Sequence, residues 1–87
     1  HPECAELAWD PAAGVRALGE VERTELRLRC GHQVAFATLA QIVERATRAG
    51  DLSVALHATE LRLELPLAAP LRSRVEAEKA GLLASLN

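Results

Sequence analysis

From Arg23 to Cys30 the chain alternates, with Thr24, Leu26, Leu28 and Cys30 on one parity and Arg23, Glu25, Arg27 and Arg29 on the other. Successive side chains of a strand point to opposite faces, so a period of two with one charged side predicts a half-buried strand. The charged side reads as a solvated sheet surface with cross-strand pairs rather than a ligand patch. Gly31 ends this strand, and a shorter strand or turn is expected before it, from Val15 to Val21 around Gly19.

The rhythm then changes. Across Gln33–Ala49, Phe36, Leu39, Ala40 and Val43 fall on one helical face, widened by Ala35, Ile42 and Ala46. Gln41, Glu44, Arg45 and Arg48 fall opposite, and Glu44 precedes Arg48 by four, the favourable order for an ion pair along a helix. Gly50 stands where a left-handed C-terminal cap is expected. This is the strongest helix of the chain.

Beyond it, Val54, Leu56 and Ala58 share one parity, while Leu61, Leu63, Leu65 and Leu67 take the other, with Arg62 and Glu64 facing out. The phase flips across Ala58-Thr59-Glu60. One long strand needs a bulge there and two strands need a tight hairpin; the hairpin is preferred because a single strand of this length is long for so small a domain. Pro66 and Pro70 end the sheet. A last helix from about Leu71 uses Val75, Leu82, Leu83 and Leu86 as its apolar side, with Glu76 and Lys79 within reach on the exposed side and Gly81 weakening it by about 1 kcal/mol. At the other end, Glu3–Trp9 suggests a helical turn or two closed by Asp10-Pro11. The order makes a single α+β domain over residues 1–87, with an N-terminal segment (1–14) and a core (15–86).

Composition narrows the function classes. A chain of 87 residues buries roughly 60–65% of its unfolded surface, a thin margin that oligomerisation often widens. Its apolar residues are mostly Leu, Ala and Val, and one Trp and one Phe supply no platform for stacking bases. The net charge is −2, with no basic run to follow a phosphate backbone or an anionic membrane. No apolar run approaches the ~20 residues of a membrane span, and the start is not signal-like. The expectation is a cytoplasmic protein with no nucleic-acid or membrane partner. Cys4 and Cys30 are expected to be reduced thiols. The chain opens at His1-Pro2 rather than at Met, which suggests a trimmed chain or a piece of a longer protein.

No catalytic set assembles. Cys30-Gly31-His32 offers two metal ligands with no second pair to complete a site. A Cys30–His32 nucleophile has no orienting carboxylate, and His57 lies on another predicted strand. Ser53, Ser73 and Ser85 have no nucleophile-elbow context, and the glycines are too scattered to cradle phosphate. The expected sites are therefore catalytic none, cofactor none and metal none.

The strand Leu26–Cys30 running into Gln33–Ala49, with Ala35-Phe36, Val43 and Ala46, resembles the second strand and long helix of the pterin-4a-carbinolamine dehydratases. The interval from Ala46 to Leu61, the hairpin at Ala58-Thr59 and the terminal helix are also similar to that family, over roughly residues 15–86. The resemblance implies an αββαββα fold, an antiparallel four-stranded sheet with two or three helices on one face. Catalytic members carry His-His-Pro after the long helix and another His after the last strand. Here Gly50-Asp51-Leu52-Ser53 and Leu67-Ala68 stand instead, so the resemblance implies a non-enzyme.

It points to the branch that resembles α-carboxysome assembly factors: a homodimeric, protein-binding chaperone with the Rubisco large subunit as partner. The alternatives are a dehydratase with a displaced site using His57 or His32, and an unrelated α+β interaction domain of a larger protein.

Overall fold

The computed structural model of the chain describes residues 19–87. Among these, every regular element is an α-helix: α1 (Glu20–Arg29), α2 (Phe36–Arg48), α3 (Leu52–Leu63) and α4 (Ala69–Leu86). The α+β expectation, four-stranded antiparallel sheet included, is overturned, because no described residue lies in a strand. The helical turn expected over Glu3–Trp9 and the start of the first expected strand lie outside the described residues. Two compact units divide the chain, one up to Val34 and one from Ala35.

In the first unit, the alternating segment is α1. Period two was only one rhythm in it: Val21 and Thr24 are its buried residues, three apart, as on one side of a helix. The charges favour the helix. Glu20 and Glu22 occupy its first turn and Arg27 and Arg29 its last, which complements the helix dipole. Glu25 and Arg29 pair at 3.4 Å, one turn apart. The Thr24 hydroxyl donates to the Glu20 carbonyl at 2.9 Å, so its burial leaves no polar group wanting. Gly31, with φ +80°, closes α1: its N–H donates to Leu28 O and the His32 N–H to Arg27 O, a Schellman cap.

In the second unit, α2 lies close to the predicted helix, and its Arg48 and Glu44 side chains form the expected ion pair. The buried residues are Leu39, Ile42 and Ala46, so the core face is turned slightly from the one centred on Phe36 and Val43. A second Schellman cap follows at Gly50, φ +76°, with Gly50 N–H on Thr47 O and Asp51 N–H on Ala46 O. Asp51 also starts the next helix, its carboxylate accepting the Val54 N–H at 3.3 Å. Three residues thus stop one helix and begin another.

The two strands and hairpin expected after it are the single helix α3. Its buried residues Ala55, Ala58, Thr59 and Arg62 recur at steps of three and four, and the apparent phase flip at Ala58-Thr59 is a 3.6-residue period sampled every second residue. Pro66 lies in the connection, while Pro70 sits in the first turn of α4, where its missing N–H costs nothing.

Helix α3 is the middle of the unit. It packs on α2 on one side and α4 on the other, and no Cα of α2 comes within 8 Å of one of α4. The core is correspondingly linear: Leu39, Ile42 and Ala46 from α2, Ala55, Ala58 and Leu61 from α3, then Leu65 and Val75. Ala55 and Ala58, both fully buried, let the neighbouring helices approach the α3 backbone closely.

Candidate functional site

The residues singled out from sequence lie on different elements of the two units. Cys30 is the C-cap of α1 and is disulfide-bonded, while Cys4 lies outside the described residues. The expectation of reduced thiols is overturned, and with it the support that reduced cysteines gave to a cytoplasmic setting, because structural disulfides persist in oxidising compartments. A disulfide sulfur is also no thiolate nucleophile. His32 is exposed in the Schellman turn, while His57 is half-buried midway along α3 of the other unit. Gly50 and Asp51 form the capped turn between α2 and α3, Leu52 and Ser53 open α3, and Ala68 is the N-cap of α4. No group of three or more His, Cys, Asp or Glu among the described residues stands ready to hold a metal. No helix among them is long and apolar enough to cross a membrane.

The most informative polar residue is one that the sequence placed on an outward face. Arg62 is 4% exposed. Its Nη2 donates to the Thr59 hydroxyl at 3.1 Å, and Nη1 lies 3.3 Å from a Glu78 carboxylate oxygen on α4. Its guanidinium stacks over the Phe36 ring of α2, 5.4 Å from the centroid, in cation–π range. Thr59 in turn donates to Ala55 O at 2.8 Å. One side chain of α3 therefore touches all three helices, although its Nε is buried with no acceptor.

A second arginine holds the turn. Arg72 donates from Nη1 to Leu63 O at 2.9 Å and from Nη2 to Leu65 O at 3.0 Å. These carbonyls lie at the end of α3, where orphan acceptors and the negative end of the dipole favour a cation. A planar fork with two parallel donors suits the geometry. Nearer the middle of α4, Lys79 Nζ lies 3.8 Å from Glu60 of α3.

Because α2 and α4 both lean on α3 and not on each other, a groove of about 420 Å³ runs between them. Val43 and Thr47 of α2, Leu52 of α3, and Glu78, Gly81, Leu82 and Ser85 of α4 line it. Its hydroxyl donors and one Glu78 carboxylate oxygen already have partners. The Thr47 hydroxyl donates to Val43 O at 2.7 Å, Ser85 donates to Gly81 O at 3.1 Å, and Glu78 is engaged by Arg62. What the groove offers a visitor is apolar surface.

On the same two turns of α4, Leu83 and Leu86 are 43% and 44% exposed, the large hydrophobic side chains most open to water among the described residues. Val75, Leu82 and Leu86 recur at intervals that keep them along one side of the helix, yet their burial falls from complete to partial towards the C-terminal end. The sequence places Val75, Leu82, Leu83 and Leu86 on one apolar side, of which Val75 alone is fully buried. No charged residue occurs from Ala80 to Asn87.

No family model matches this sequence, and no curated protein or solved structure matches it either.

Proposed function

We propose that the unit from Ala35 is a non-catalytic polypeptide-binding module that receives an apolar helical segment in the groove between α2 and α4. The observation that carries this reading is the chemistry of the lining: mostly apolar walls whose hydroxyl protons are donated within their own helices, with exposed Leu83 and Leu86 on the same two turns of α4. An apolar helix laid in such a groove gains by burial alone, at about 25 cal/mol per Å² removed from water. The Thr47 and Ser85 hydroxyls have no proton left to donate to a polar substrate, since each is given to a carbonyl of its own helix. Neither His57 nor His32 lines the groove, so this reading gives them no part in it.

The narrower expectation of a Rubisco assembly factor rested on an order of strands that these helices replace, so the proposal keeps protein binding and drops the named partner. The test is capture of polypeptides by the native chain compared with Gly81→Trp. A Cβ added at Gly81 meets no atom within 4 Å, so an indole there occupies the groove without displacing the helix backbone. Partners bound by the native chain and lost from the variant support the reading. Equal capture by both refutes it.

A further inference from the structure

No further inference is drawn: the strongest candidate, the apolar patch of Leu83 and Leu86 at the C-terminal end of α4 beside the groove, adjoins the site already described, and nothing in the structure shows what covers it.

Discussion

Arg62 and Glu78 form an ion pair across α3 and α4 in which the arginine side chain is 5% exposed and the glutamate 46% exposed. Burying a guanidinium is costly, and here one end of it meets a half-solvated carboxylate while Nε goes unpaired. The pair therefore fixes position more than it adds stability. Because the same guanidinium covers the Phe36 ring, its placement also sets how α2 and α4 flank α3.

Truncation and isosteric replacement of Arg62 should separate these contributions. Arg62→Ala leaves a cavity between three helices and strands Glu78 and Thr59, and should cost about 2–4 kcal/mol in urea unfolding. Arg62→Met keeps the aliphatic volume without a charge to desolvate, so it should recover most of that loss. If Met is as damaging as Ala, the charge itself matters more than the volume.

Arg72 is expected to contribute through hydrogen bonding to the end of α3. Arg72→Ala should lower stability by about 2 kcal/mol, the scale of charge-assisted bonds to two otherwise orphaned carbonyls. Arg72→Lys keeps the charge and loses the fork, so it should restore less than half of the difference. The urea midpoint at constant m-value measures both.

Two glycines of the same unit should respond to alanine with opposite signs. Gly50 holds φ at +76° in the cap between α2 and α3, and a Cβ there costs about 1–2 kcal/mol. Gly81 lies inside α4 with open space where a Cβ would go, so Gly81→Ala should stabilise by about 0.5–1 kcal/mol. Thermal melts of the two variants beside the native chain decide the signs.

For the first unit, reduction is the informative perturbation. Breaking the Cys30 disulfide relaxes a constraint on the unfolded chain usually worth about 2–4 kcal/mol. Hydrogen exchange in α1 should accelerate on adding reductant, and Cys30→Ser should reproduce the effect. Unchanged protection of the α1 amides in both would show that the cap at Gly31 suffices without the bond.

What could be read from the sequence followed from how unambiguous each local period was. Helix α2 was legible because its apolar spacing fits only a helix and Gly50 marks its end. Its core face was still misjudged by part of a turn, since Ile42 and Ala46 are buried more deeply than Phe36 and Val43. In α1, ten residues satisfy both periods, and the dipole-matched charges, Glu20 and Glu22 before Arg27 and Arg29, were the clue left unused. In α3 the misleading residue was Arg62. A charge at a core position breaks the helical pattern, and recovering it requires knowing that Phe36, Thr59 and Glu78 surround it. The groove was not legible at all, because it arises from α2 and α4 failing to meet, a property of three helices together rather than of any one.

That arrangement bears on how the unit comes apart. Since α2 and α4 each lean on α3 alone at the level of the backbone, the connections to be closed in folding are only a few residues long, and assembly should be fast. The same linear order makes α4 a terminal layer that can peel away while the α2–α3 hairpin remains closed, a partial opening that a three-way core would forbid. The Arg72 fork and the Lys79–Glu60 pair then act as the latch on that layer, setting how often the apolar inner side of α4 is shown to water.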